Sequence, residues 1–170
     1  VSEYTGLTNV KVVAPATHDT GSAVAAVPTS HTGNPDWAYI SSGTWSLMGV
    51  EVARPVINDS CKLFNFTNEG GVQGSVRLLK NICGLWVVQQ CRAQWKREGH
   101  DWSWDRLIQL AEQAPSMISI IDPDDSAFAA PPDMPTAIRD YCRRTGQLLP
   151  ENEGAIIRCA LESLALKYRL

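Results

Sequence analysis

Three polar residues with complementary chemistry come together in the stretch THDTG, which directly follows an apolar, β-branched stretch at residues 10–16. Asp19 offers a carboxylate that can take a proton from a bound hydroxyl group, and His18 and Thr20 offer hydrogen-bonding side chains on either side of it. Aspartate is also a favoured residue at the start of a helix. Asp19 is therefore either a base or a helix cap, and its position alone does not decide between these interpretations.

The elements around Asp19 predict a site at the end of a strand. Residues 10–16 are predicted to form a strand that is buried along most of its length, and the small residues at 20–27 are predicted to form a helix. In open α/β sheets, ligands gather at such strand-to-helix junctions. Because successive side chains of a strand point to opposite faces, we expect His18 and Asp19 not to contact each other.

A second polar motif, SSGT at residues 41–44, separates two runs of strand-forming residues and predicts a β-hairpin. The backbone N–H groups of such a glycine turn can bind phosphate oxygens, and Thr44 would then be the phosphate contact. Glycine turns are also frequent in hairpins that bind nothing. Both interpretations of the turn remain open.

The segment at residues 74–95 is predicted to form one long helix. On that helix, Asn81 and Gln89 would lie on a single face, about 12 Å apart along the axis. Two amides on an otherwise apolar face favour a polar ligand. Gly84 in the middle of a helix indicates close approach, either by a ligand or by a neighbouring strand.

The remaining patterns predict further elements of an α/β fold. Alternating apolar and polar residues predict a third strand at residues 63–71. Amphipathic helices are predicted at residues 103–114 and 135–146, and a helical pattern continues through residues 157–168. The turn-rich residues 31–37 are predicted to link two domains.

Composition excludes several classes of protein. The chain has 170 residues, of which 44% are hydrophobic and 19% charged, as is typical of a soluble globular protein. Its net charge of -3 provides no basic surface for nucleic acid. No apolar run approaches the roughly 20 residues that span a bilayer, so we expect no membrane partner.

The potential metal and thiol ligands do not form a recognisable site. The five cysteines contain no C-x-x-C pair, which indicates free thiols and a cytoplasmic location. The aspartates at 122, 124 and 125 lack the glycine and the closing glutamate of a calcium loop. The three histidines lack zinc spacing. The sequence therefore predicts no metal ligand.

Four stretches carry a longer pattern: ATHDTGSAVAAVP, YISSGTWSLMGVE, FTNEGGVQGSVRLLKNICGLW and LESLALKY. Together they resemble the central and C-terminal portion of the FGGY family of carbohydrate kinases. The resemblance implies an α/β fold of the actin-like, ribonuclease-H-like ATPase type. It implies that residues 1–34 end a first domain and that residues 35–170 form a partial second domain, with a mixed sheet and packed helices, truncated before the adenosine motif.

The same resemblance implies roles for individual residues. Asp19 matches the catalytic base of the family, and His18 and Thr20 match sugar contacts. Positions that contact ATP match Thr44, Asn81 and Gln89. Mg²⁺ is expected to bridge the phosphates, and no residue of this chain is assigned as its direct ligand.

The resemblance further implies the reaction, which is transfer of the γ-phosphate of ATP to L-rhamnulose to give L-rhamnulose 1-phosphate. The alternatives are a kinase for another ketose, such as fuculose or xylulose, and a non-catalytic module that binds nucleotide or sugar. The chain is interpreted as a fragment and is expected to be inactive alone, because half of a cleft does not hold both substrates. Its oligomeric state is not indicated.

Overall fold

The computed structural model describes residues 2–11, 18–31 and 33–169. Its elements, in chain order, are α1 (Ser2–Thr5), α2 (Asp19–Ala25), β1 (Tyr39–Ser42), β2 (Trp45–Val52), α3 (Asp59–Leu63), β3 (Thr67–Gly70), β4 (Val76–Cys83), α4 (Trp86–Arg97), α5 (Trp104–Gln113), a 3-10 helix (Ser126–Phe128), α6 (Met134–Arg144) and α7 (Glu153–Arg169). The strand predicted at residues 10–16 lies almost wholly outside the described residues.

The described strands form one four-stranded sheet in the order β1-β2-β4-β3. Every neighbouring pair is antiparallel, so the prediction of a mixed sheet is wrong for the described part of the chain. The β1–β2 hairpin is confirmed, and its strands are paired from Tyr39↔Gly49 to Ser42↔Ser46. Such direct connections suit antiparallel neighbours, whereas parallel neighbours need a longer crossover.

The prediction of one long helix at residues 74–95 is also wrong. Val76–Cys83 is strand β4, and the helix α4 begins only at Trp86. Because β4 pairs with β2 on one side and with β3 on the other, it is an interior strand of the sheet. Leu79 on one face and Ile82 on the other are both buried, so the apolar spacing fits a helix as well as a strand.

The third predicted strand is shorter than expected. Residues 63–71 begin at the end of α3, whose N-terminus is capped by Asn58 through a hydrogen bond from the Cys61 N–H at 2.8 Å. Asn65 then adopts a left-handed backbone with a φ of 59°, which interrupts any extended strand. Strand β3 begins only at Thr67.

The helices α4 to α7 form a layer around a large apolar cluster that includes Phe128, Ile138 and Ile156. The predicted helices at residues 103–114 and 135–146 are confirmed within a few residues. Ser103 caps α5 as expected, through a hydrogen bond from the Arg106 N–H at 3.2 Å. Burial of this cluster gives the helical layer its stability.

Polar contacts attach the helical layer to the sheet. The Ser46 and Tyr168 hydroxyl groups lie 2.5 Å apart and join β2 to α7. The Cys83 N–H donates to an Asp124 carboxylate oxygen at 2.8 Å, which fixes the end of β4. The sheet is therefore held at two places by residues distant in the sequence.

Helix α2 packs on one face of the sheet through a second, smaller apolar cluster. Val24 of α2, Tyr39 of β1 and Leu79 of β4 are its buried members, and Trp37 and Leu47 pack against them. This packing places the N-terminus of α2, and with it Asp19, beside the β1–β2 turn.

The five cysteines are free, in agreement with the expectation from their number and spacing. Burial raises the pKa of Cys83 to about 11 and that of Cys159 to about 12, so both are neutral thiols at physiological pH. The cytoplasmic location inferred from the cysteines stays a prediction. Among the described residues, no helix combines the length and apolar character needed to cross a membrane.

Candidate functional site

A cavity of about 460 Å³ is lined by the start of α2, the β1–β2 turn and strands β3 and β4. Most of the residues predicted to form the site line this cavity: His18, Asp19, Thr20, Thr44 and Asn81. The first and last of these residues, His18 and Asn81, are separated by 63 positions in the sequence. The fold therefore brings the two polar motifs together in one open cleft.

Asp19 is the first residue of α2, and its side chain is 98% exposed. Its Oδ1 atom accepts the backbone N–H of Thr20 at 3.0 Å. His18 holds the N-cap position without a side-chain cap hydrogen bond. A carboxylate at this place is stabilised by the positive end of the helix dipole and is also open to a ligand.

His18 lies closer to Asp19 than expected. The His18 Nδ1 and Asp19 Oδ1 atoms are 3.7 Å apart, which is within ion-pair range but beyond a hydrogen bond. The expectation that the two side chains do not contact each other assumed a continuing strand, whereas Asp19 already belongs to the helix. Thr20, the third residue of the motif, is buried at the floor of the cleft.

A hydrogen bond joins Thr44 of the β1–β2 turn to Gln89 of α4. The Thr44 Oγ1 atom donates to Gln89 Oε1 at 3.1 Å. The predicted pairing of Gln89 with Asn81 on one helix face is wrong, because Asn81 lies on β4 and Gln89 on α4. Asn81 instead pairs with Leu47 across the sheet and lines the cavity, while Gln89 reaches the site through Thr44.

The β1–β2 turn also caps helix α4. The Gly43 carbonyl accepts the Leu85 N–H at 2.8 Å, and the Thr44 carbonyl accepts the Trp86 N–H at 3.0 Å. The Gly43 N–H donates to the Trp45 carbonyl at 3.1 Å. That N–H is therefore not free to bind a phosphate oxygen, and the exposed Thr44 side chain is the group that the turn presents to the cleft.

Gly84 permits this close packing. A Cβ atom at Gly84 would lie 2.6 Å from the Gly43 carbonyl oxygen and 2.6 Å from the Ser46 hydroxyl oxygen. Of the two interpretations of this glycine, approach by a neighbouring strand is the correct one. Gly84 thus marks the junction of β4 and α4 and lets the Thr44 turn rest against that junction.

Glu69 also lines the cavity, and the motif analysis did not single it out. It lies on β3 directly opposite Arg77 of β4, and the Arg77 Nη2 atom donates to Glu69 Oε2 at 2.9 Å. The signal available in the sequence was a carboxylate within the stretch FTNEGG. Without knowledge of the β3–β4 register, nothing placed this carboxylate beside Asp19.

The aspartates of the loop after α5 form ion pairs with a lysine of α7. Lys167 lies 2.7 Å from Asp122 Oδ1 and 3.2 Å from Asp124 Oδ2. Burial alone would raise the pKa of Asp122, but the hydrogen bonds from Lys167 and from the Asp124 N–H hold it below its ordinary value. Within residues 2–11, 18–31 and 33–169, no group of three or more His, Cys, Asp or Glu side chains is arranged to hold a metal ion.

A model of the C-terminal domain of the FGGY family of carbohydrate kinases matches residues 38–170. The chain belongs to this family, and the predicted family and α/β fold class are confirmed. The match begins close to the predicted boundary at residue 35, but the division into two domains stays a prediction.

Several similar proteins carry the name rhamnulokinase. The chain is 54% identical over 169 residues to that of Bacteroides thetaiotaomicron, covering 99% of this chain and 33% of the relative. It is 47% identical over 160 residues to that of Pectobacterium carotovorum subsp. carotovorum, covering 94% and 31%. Against that of Enterococcus faecalis it is 40% identical over 162 residues, covering 95% and 32%. The chain thus spans about a third of the length of these curated relatives.

Proposed function

We propose that the whole protein is an ATP-dependent sugar kinase that transfers the γ-phosphate of ATP to L-rhamnulose and forms L-rhamnulose 1-phosphate. The observation that carries this proposal is the cavity in which Asp19 lies with Thr44 and Asn81. Membership of a carbohydrate kinase family supports the reaction class. The names of the relatives support the choice of sugar.

In the proposed reaction, Asp19 acts as the general base. Its carboxylate takes the proton of the sugar hydroxyl while the hydroxyl oxygen forms a bond to the γ-phosphorus and the bond to the ADP oxygen breaks. A positioned base contributes about 10²- to 10⁴-fold to such a rate. The high exposure of the Asp19 side chain supports this role, because the carboxylate is open to a substrate.

The neighbouring residues divide between the two substrates. His18 and Thr20 are proposed to bind the sugar on either side of the transferred proton. Thr44, Asn81 and Gln89 are proposed to contact the nucleotide, with the hydrogen bond between Thr44 and Gln89 orienting the Thr44 hydroxyl. This division agrees with phosphoryl transfer, in which the protein acts mainly by positioning and charge stabilisation.

Mg²⁺ is proposed to enter with the nucleotide, where it neutralises phosphate charge. It usually keeps several waters and is bound through substrate phosphates and one or two carboxylates. An open cleft that carries Asp19, without a cage of three acidic side chains among the described residues, fits this mode of binding. We assign no residue of this chain as a direct ligand.

A panel of ketoses offered to the full-length protein with ATP tests the proposal. We expect the highest kcat/KM with L-rhamnulose and weaker transfer to L-fuculose and D-xylulose. Preference for either of those sugars would overturn the choice of substrate. Nucleotide or sugar binding without transfer to any ketose would favour the non-catalytic module. The 170-residue chain alone is expected to show no turnover, because it spans about a third of its relatives.

A further inference from the structure

We propose that Glu69 contacts the hydroxyl groups of the sugar and determines specificity, and that Arg77 is a positioning residue that holds Glu69 in the cleft. This inference deepens the proposed function and rests on it. It assigns a contact from β3 in addition to those proposed around Asp19.

The register of the sheet puts Glu69 on the face that carries the site. Glu69 pairs directly with Arg77 across β3 and β4, so their side chains emerge on the same face. Helix α2 lies on that face, because a Cβ atom at Gly21 would be 3.4 Å from Arg77 Nη2. Glu69 therefore lines the same cavity as Asp19 and His18, from the sheet side.

Arg77 is anchored through its Nε and Nη2 atoms, whereas its buried Nη1 atom has no hydrogen-bond partner among the described residues. Its side chain is 5% exposed, and its Nε atom donates to the Gly70 carbonyl at 3.3 Å while Nη2 binds Glu69. On the other side of β4, Glu51 of β2 lies opposite Arg77 in the sheet register, and Glu51 is also buried. A buried guanidinium is tolerated only when it is paired, so the anchored Arg77 fixes the position of the Glu69 carboxylate.

The carboxylates of Glu51 and Glu69 differ in their exposure to the cleft. Glu51 is 2% exposed and accepts a hydrogen bond from the Ser75 hydroxyl at 3.0 Å, so it is enclosed within the sheet. The Glu69 side chain keeps 35% exposure. The hydrogen bond that the described residues make to Glu69 goes to Oε2, and its other oxygen receives none from them.

Glu51, Arg77 and Glu69 lie in one row across β2, β4 and β3, and the charges of this row indicate which substrate it faces. In the sheet register, Arg77 lies between Glu51 and Glu69, and two carboxylates with one guanidinium give the row a formal net charge of -1. A negative group repels the phosphates of ATP, whereas an ionised carboxylate accepts hydrogen bonds from hydroxyl groups. Glu69 therefore suits the neutral, hydroxyl-rich ketose and disfavours the nucleotide.

The test is steady-state kinetics of Glu69→Gln in the full-length kinase, with L-rhamnulose and ATP varied separately. We expect KM for the ketose to rise about 10- to 100-fold, because a hydrogen bond to a charged group is lost. KM for ATP should stay within about twofold of wild type. Glu112→Gln, at an exposed glutamate of α5, is the matched control and should change neither constant.

Two further variants separate binding from folding. Arg77→Lys keeps the charge but loses the planar fork, so a smaller rise in the same ketose KM is expected. If Glu69→Gln does not fold, Glu69→Asp decides: it keeps the charge, shortens the reach, and should still raise the ketose KM selectively. Unchanged constants in the folded variant, or equal rises for ketose and ATP, would overturn the inference.

The proposed function and this inference fail in different ways. If the wild-type protein transfers no phosphate to L-rhamnulose, the proposed function is wrong and the inference falls with it. If the wild type is active and Glu69→Gln keeps both KM values, only the inference is wrong. A selective loss of ketose affinity supports both.

Discussion

The helical layer and the cleft region of this chain bury different kinds of side chain. In the layer formed by α4 to α7, most of the fully buried residues belong to one large apolar cluster that includes Phe128 and Ile138. In the cleft region the apolar cluster is small, and Glu51 and Arg77 are buried beside it. The comparison teaches that one region buries a large apolar core, whereas the other buries charged residues beside an open, polar cleft.

The largest expected effect on stability comes from the centre of the helical layer. Phe128 is fully buried, and Phe128→Ala should lower the free energy of unfolding by about 3–5 kcal/mol through lost burial and a residual cavity. Urea denaturation of the protein measures this change. In the molecules that remain folded, kcat should be close to that of wild type.

Phe64→Ala is the matched control for that substitution. Phe64 is 51% exposed, and its removal should change the free energy of unfolding by about 0.5 kcal/mol or less. Equal destabilisation by the two variants would show that the helical layer is not the main source of stability and would break the comparison.

An intermediate effect is expected where the two regions meet. In Gly84→Ala, the new methyl group would press against the Gly43 carbonyl and the backbone N–H of Ser46, 2.6 and 2.8 Å from the Cβ position. Overpacking of this kind costs about 1–3 kcal/mol. Because the same turn carries Thr44, we expect both the urea midpoint and kcat/KM to fall.

Gly70→Ala, at the end of β3, is the stability control for Gly84→Ala. A Cβ atom at Gly70 would meet no heavy atom of the described residues within 4 Å, and the residue does not have a positive φ. Its urea midpoint should match that of wild type. A Gly84→Ala protein that is as stable and active as wild type would mean that the turn does not depend on this contact.

The sequence was sufficient for features that depend on neighbouring residues. The hairpin around Gly43, the Ser103 cap and the start of a helix at the THDT motif all follow from local chemistry. Strand β4 could not be distinguished from a helix, because an interior strand is apolar on both faces and loses its alternation. Glu69 was missed for a related reason, since its place in the cleft depends on the β3–β4 register.

The smallest expected effect concerns the ion pairs of Lys167. In Lys167→Met, loss of the contacts with Asp122 and Asp124 should lower the free energy of unfolding by about 1 kcal/mol or less. The native pKa of Asp122 lies below its ordinary value of 3.8, so this stabilisation is present above that value and is lost as the pH falls through the native pKa. The difference from wild type should therefore disappear in acid.

Urea titrations at neutral and acidic pH measure that dependence. Lys62→Met, at an exposed lysine of α3, is the control and should show no difference at either pH. A Lys167→Met difference that persists unchanged in acid would assign the effect to packing of the side chain and not to its charge.

The central claim, that Asp19 is a base at the mouth of the cleft, is tested most directly by Asp19→Asn in the full-length protein. Asp59→Asn is the matched control, because Asp59 also begins a short helix and lies outside the cavity. For Asp19→Asn we predict a fall in kcat of about 10²- to 10⁴-fold with both KM values and the urea midpoint nearly unchanged. An Asp19→Asn enzyme with wild-type kcat, or one that is mainly less stable, would contradict the account.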